Sequence, residues 1–256
     1  MVKFLLKKSY QQKNLKEVPF KDLWNKNGVF TTMWIYGRPP KILFFRSHIN
    51  NLIKSLKIFK ILKKDTKKNI LNLIKKNIDK KINYNHLLRV ALDKKFISVS
   101  LRKKIKIKKE FTLKLVNHKR FKPEFKNLKY KIILKHLSKL DSSKNDIALC
   151  VNGKLLETGT SNLLFISNKK IYSPISKFYR GINLTFFQKK IKINKKNIFI
   201  KNIEDFDEII LIGSGKSVTS VHSISELKWK RKSQIVYTKL KKIFDIESKK
   251  KTYLYN

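Results

Sequence analysis

With 256 residues, 41% of them hydrophobic, and 17 Phe and 9 Tyr along its length, the chain can bury one large core or two modest ones, which excludes a disordered tail or linker. Its net charge of +45 points first to nucleic acid or an anionic membrane surface. Yet 55 Lys stand against 7 Arg, from Lys3 to Lys251 and amid many Asn and Ile, which reads as AT-rich codon usage at tolerant surface positions. Cys150 is the single cysteine, excluding an intramolecular disulfide framework and a thiolate metal cluster.

A dedicated nucleic-acid binder gathers cations on one face and uses Arg for bidentate contacts, so nucleic acid is not expected as a partner. The stretch Met1 to Ser9 has only three consecutive apolar residues, short of a signal or membrane segment, and a cytoplasmic protein without membrane association is expected. The five histidines lack ligand spacing, so no metal site is expected.

Taken in chain order, residues 28 to 45 read as a hairpin turning at Gly37 to Pro40. Ile49, Leu52, Ile53, Leu56 and Phe59 recur at helical spacing, and Ile70, Leu71, Ile74 and Ile78 repeat the pattern. Leu87 to Leu92, Phe96 to Leu101 and Phe111 to Val116 read as strands. The expected first lobe, residues 1–118, is thus an antiparallel sheet covered by helices. Residues 119–125, basic and carrying Pro123, read as a connector.

The second lobe, 126–256, opens with a helix expected over Leu128 to Leu140. Strands follow at Ile147 to Val151, Asn162 to Ile166 and Lys170 to Ser173, with turns at Asn152-Gly153 and Asn168. A helix over Gly181 to Ile191, strands at Ile198 to Ile200 and Glu208 to Ile212, and a closing helix from Ile235 complete the pattern. The fold class is α+β: two lobes, the second a β-rich pseudo-barrel with helices, and a cofactor cleft between them.

Any one Lys among 55 is weak evidence, but order and spacing change that. Lys126-Asn-Leu-Lys-Tyr130, then Asp146-Ile-Ala-Leu, Glu157-Thr-Gly-Thr-Ser-Asn162 and Ile171-Tyr-Ser-Pro174 occur in sequence. Upstream stand Gly28-Val-Phe-Thr-Thr32, Tyr36-Gly-Arg-Pro-Pro and His48-Ile-Asn-Asn-Leu52. Downstream stand Arg180-Gly-Ile-Asn183 and Leu211-Ile-Gly-Ser-Gly215. Together these resemble the class-IV aminotransferase family of pyridoxal-phosphate enzymes.

The resemblance implies pyridoxal 5'-phosphate as cofactor, Lys126 as the lysine that carries it, and Glu157 beside its ring nitrogen. It further implies two phosphate-binding turns, Gly181-Ile182-Asn183 and Gly213-Ser214-Gly215, and a homodimer acting on a small amino-group substrate. The chemistry agrees. A desolvated lysine is the residue type that forms an imine and then moves a proton. An anionic carboxylate keeps the ring nitrogen protonated, and backbone N–H groups at a turn or helix start suit a phosphate. Gly215-Lys216-Ser217 is no nucleotide P-loop, since that motif needs glycine at position 210, which is Ile.

The family's His-x-x-Arg-Leu element appears as His48-Ile-Asn-Asn51-Leu52, without its phosphate-binding arginine, and no Asp-Arg-Gly stretch precedes Gly28. Arg46, Lys54 and Arg180 are candidate replacements. Phe30-Thr31-Thr32 looks more like the 4-amino-4-deoxychorismate lyase branch, with Thr31 and Thr32 near the substrate, than the branched-chain aminotransferases, which tend to carry Phe-Glu-Gly. An amino acid aminotransferase, branched-chain or D-specific, is the alternative, and a non-catalytic or polyanion-binding protein on the same fold is a second.

Overall fold

The computed structural model describes residues 4–250 and 252–254, which fall into two units. Unit 1 comprises Met1–Lys104, Phe125–Lys131 and Lys250–Asn256, and unit 2 comprises Ile105–Glu124 and Ile132–Lys249. The borders therefore differ from the expected 1–118, 119–125 and 126–256. The strand at Phe111 joins the second unit, and Lys126 lies in the first.

Unit 1 is built on strands β1 (Phe4–Gln11), β2 (Glu17–Val18), β3 (Gly28–Gly37), β4 (Lys41–Leu43), β5 (Tyr84–Asp93) and β6 (Phe96–Lys103). With a C-terminal strand, Thr252–Leu254, they form one antiparallel sheet in the order C-terminal strand, β4, β3, β5, β6, β1, β2. The expected hairpin is β3–β4, with Ile35 opposite Ile42. Strand alternation sends Met33, Ile35, Leu88, Val90 and Leu101 to one face, where they share a core with helices α1 (Phe45–Ile58) and α2 (Thr66–Asn77). Ile49, Leu52 and Leu56 of α1 and Ile70 and Ile74 of α2 supply the apolar stripes.

The segment 125–131 runs along the start of β3 instead of beginning a helix. Phe30 N–H donates to the Lys126 carbonyl and Leu128 N–H to the Gly28 carbonyl, both at 2.9 Å. These bonds occupy the backbone expected to open the helix at Leu128, so helix α3 is shorter, Lys131–Leu137. Gly28 makes the approach possible, because a Cβ there would stand 2.6 Å from Leu128 Cδ1 and would also collide with the Leu92 carbonyl oxygen of β5.

Unit 2 is a curled mixed sheet. Its strands are β7 (Phe111–Asn117), β8 (Asn145–Val151), β9 (Lys154–Thr158), β10 (Asn162–Ser167), β11 (Lys170–Ser173), β12 (Asn194–Lys195), β13 (Ile198–Phe199), β14 (Glu208–Gly213), β15 (Ser217–Ile224) and β16 (Trp229–Lys230). The order is β12, β11, β10, β14, β15, β7, β8, β9, β13, with β16 beside β15. Strand β7 pairs in parallel with both β8 and β15, which fixes it in this sheet. Phe111, Leu155, Leu163, Phe165, Leu211 and Trp229 belong to its core. Helices α4 (Ile182–Gln188) and α5 (Ile235–Lys250) match the expected helical stretches. No helix among the described residues is long and apolar enough to cross a membrane.

Candidate functional site

In unit 1, the pairing with β3 holds Lys126 half-buried, with Nζ 5.5 Å from the centre of the Phe30 ring. Phe30 and Thr32 alternate onto the same face of β3. Thr31 turns to the other face, buried, with Oγ1 2.9 Å from His48 Nδ1. Burial, and secondarily the charge of Lys126, pushes the His48 pKa down to about 3, so this ring is neutral.

Thr32 lies directly opposite Arg89 of β5. The Arg89 guanidinium stacks 3.7 Å above Trp24 and donates to Asp22 Oδ1 at 2.5 Å and to the Asp22 carbonyl at 2.8 Å. Burial draws its pKa below the ordinary arginine value, with Asp22 working against the shift. Trp24, Phe30 and Tyr130 pack ring to ring at 5.0 to 5.7 Å. The Phe30 face near Lys126 is therefore aromatic.

In unit 2, Glu157 lies near the end of β9, 5% exposed. Arg120 grips it as a fork, Nε to Oε1 at 2.7 Å and Nη2 to Oε2 at 3.1 Å, and is itself held by the Pro123 carbonyl. Tyr179 N–H also donates to Oε2, at 3.3 Å. From there a chain of bonds reaches the first turn: Asn162 Nδ2 donates to the Tyr179 carbonyl, and Gly181 N–H donates to Asn162 Oδ1 at 2.9 Å.

Ile182 and Asn183 open α4, both buried, and among the described residues Asn183 Nδ2 meets no acceptor. The second turn, 214–216, follows Gly213 at the end of β14 and leads into β15. Gly213 is pressed on the 160–161 loop, since a Cβ would stand 2.8 Å from Ser161 Oγ and 3.3 Å from the Thr160 carbonyl oxygen. Ser214 and Gly215 are half-buried. Unit 2 thus links Glu157 to Gly181 through Tyr179 and Asn162 and seats Gly213 on the 160–161 loop. Unit 1 brings Lys126 and Thr32 to one sheet face and sends Thr31 to the other.

Asn51, standing for the family's arginine, is half-buried on α1. Arg46 and Lys54 are exposed, and Arg180 is exposed with its guanidinium on Gln188 Oε1 at 2.5 and 2.8 Å. Sequence reasoning did not name Arg120 or Arg89. One signal was available: in a chain with only 7 Arg, an arginine marks a place where a planar fork does what a lysine cannot.

The family model described as amino-transferase class IV matches residues 28–224. Among solved structures, the branched-chain aminotransferase of Thermoproteus uzoniensis with norvaline is similar at a TM-score of 0.76 and 15% identity, over 95% of this chain and 96% of that one. A Legionella pneumophila protein assigned as a 4-amino-4-deoxychorismate lyase is similar at 0.69 and 18% identity, over 86% and 91%. A Brucella abortus aminotransferase bound to its cofactor PLP is similar at 0.72 and 14% identity, over 94% and 98%. None of the curated proteins matches by sequence.

Proposed function

The chain belongs to the class IV aminotransferase family, and from that premise we propose that it is a lyase releasing 4-aminobenzoate and pyruvate from 4-amino-4-deoxychorismate. It is an enzyme, and pyridoxal 5'-phosphate is its cofactor. The residues present fit that group. Among the described residues the buried Asn183 Nδ2 has no acceptor, the N–H groups of the 213–215 turn suit a phosphate, and a buried carboxylate stands ready at Glu157. Bound there, the cofactor supplies an electron-withdrawing ring that stabilises negative charge on the substrate α-carbon.

The chain's own residues do the rest. Lys126 holds the cofactor, and its released amine takes the α-proton as general base. Phe30, packed against Trp24 and Tyr130, walls one side of that amine. Glu157, oriented by Arg120, holds the proton on the ring nitrogen. Gly181, Ile182, Asn183, Gly213, Ser214 and Gly215 hold the phosphate.

One observation carries the lyase subtype. The side chain that shares the Phe30 face of β3 is the neutral hydroxyl of Thr32, opposite Arg89. A neutral hydroxyl beside an arginine accommodates an anionic, carboxylate-bearing substrate. A homodimer in the cytoplasm completes the reading.

The test begins with pyridoxal phosphate added to the purified protein, borohydride reduction and peptide mapping. A visible absorbance band, abolished by reduction with the label on Lys126, is expected. Label spread over many lysines would sink the assignment. Assay of 4-amino-4-deoxychorismate against branched-chain and D-amino acids then separates the subtypes, and exclusive transamination would overturn the lyase.

A further inference from the structure

Asp146 is fully buried at the start of β8, in a chain where acidic residues number 17 among 62 basic ones. Its Oδ1 accepts from Ile147 N–H at 2.8 Å. Its Oδ2 accepts from Thr158 Oγ1 at 3.0 Å and from Thr160 Oγ1 at 2.6 Å. Thr158 Oγ1 in turn accepts from the N–H groups of Thr160 and Ser161 at 3.2 and 2.8 Å. One carboxylate therefore fixes the whole 158–161 loop, with Glu157 immediately before it and Ser161 beneath Gly213.

The second partner of Asp146 comes from the other side. Lys216, the last residue of the 214–216 turn, is 8% exposed, with Nζ 3.9 Å from Asp146 Oδ2, 3.3 Å from the Ser142 carbonyl oxygen and 4.4 Å from the centre of the Phe111 ring. A buried lysine is costly, and its desolvation is offset only by a charge, an acceptor and a π face together. Among 55 lysines, codon pressure explains exposed positions and leaves this one unexplained.

We propose that Asp146 and Lys216 are positioning residues that clamp the Gly213-Ser214-Gly215 turn from both sides so that its N–H groups stand ready for the cofactor's phosphate. Asp146 holds the loop under Gly213, while Lys216 ties the far end of the turn to the same carboxylate. The N–H groups are then fixed before the anion arrives, and little ordering is left for binding to supply. This rests on the cofactor reading above.

The experiment compares binding of pyridoxal 5'-phosphate with that of pyridoxal, which lacks the phosphate, in the full chain and in Asp146→Asn, Lys216→Met and Thr160→Val. Each variant is expected to raise the Kd for pyridoxal 5'-phosphate by about tenfold or more, the scale of losing a supporting residue around a bound group. The Kd for pyridoxal should stay within about twofold, because the clamp acts through the phosphate turn. Thr160→Val removes the bonds of one exposed hydroxyl, to Asp146 Oδ2 and Ser161 Oγ, without touching either charge, so it reports even if Asp146→Asn fails to fold. Unchanged affinity for the phosphate form in Thr160→Val and Lys216→Met, or equal losses for both ligands, overturns the clamp. If the unmodified protein bound neither ligand, the cofactor reading itself would fall.

Discussion

Thr31 Oγ1 and His48 Nδ1 lie 2.9 Å apart, joining β3 to α1 inside the core of unit 1. Burial first, and the charge of Lys126 second, lower the His48 pKa from 6.5 to about 3. In the unfolded chain this ring takes a proton below its ordinary value, whereas in the fold it stays neutral nearly to pH 3. Its contribution is therefore complete above pH 6.5 and is lost as pH falls from there toward 3. Between pH ~7 and ~5 the loss should be about 2 kcal/mol. Urea unfolding at both pH values is expected to show this extra slope, and His48→Asn to lack it. Identical slopes would mean that His48 is not held neutral.

A second carboxylate does structural work at the other end of β14. Glu208 is 1% exposed; its Oε1 accepts from Val236 N–H at 2.9 Å and Ser233 Oγ at 3.1 Å, and its Oε2 from Tyr237 N–H at 2.8 Å. It thus satisfies the first turn of α5 and places a negative charge at the positive end of the helix. Glu208→Gln keeps the volume and removes the charge and one acceptor. A loss of about 1 to 2 kcal/mol is expected in chemical denaturation, with α5 less protected from hydrogen exchange. No change in α5 protection would contradict the capping role.

The elements with clean periodicity were legible in the sequence. The hairpin of β3 and β4 announced itself through Gly37 to Pro40, and the Ile49, Leu52, Leu56 stripe marked α1. Strand β15 was not, because its buried Thr219 and Ser220 lower its hydropathy, and their hydroxyls are satisfied only in the fold, by the Lys216 carbonyl and Arg231. The sheet to which β7 belongs was also hidden. Its parallel partners β8 and β15 are set by long-range pairing that no local pattern records. At the site, order along the chain singled out Lys126 and Glu157 among many similar residues. The partner of Glu157 was invisible, since nothing local to Arg120 says that its fork closes on a residue 37 positions away.

The turn before α4 depends on a glycine for close approach. Gly181 N–H donates to Asn162 Oδ1 at 2.9 Å, and a Cβ at Gly181 would stand 2.6 Å from that same oxygen. Gly181→Ala must push Asn162 aside and displace the start of α4, where Asn183 Nδ2 meets no acceptor among the described residues. Cofactor affinity is expected to fall about tenfold while the melting temperature drops only slightly, as for a local overpacking of about 1 kcal/mol. Titration with pyridoxal 5'-phosphate measures the first and calorimetry the second. Wild-type affinity would remove this turn from the cofactor site.

Arg120 and Glu157 make the most exacting comparison, because two N–H groups of one planar group meet two oxygens of another with both side chains buried. Arg120→Lys keeps the charge and loses the fork. One ammonium cannot reach both oxygens and the Pro123 carbonyl with the same geometry. Arg120→Met leaves the carboxylate buried without this partner, which should cost about 3 to 5 kcal/mol in unfolding experiments. Arg120→Lys should fall between, and its bound cofactor should show a visible band shifted in position or pH dependence, since Glu157 would sit differently against the ring nitrogen. A lysine variant with wild-type stability and spectrum would show that charge alone suffices and that the fork has no part in orienting Glu157.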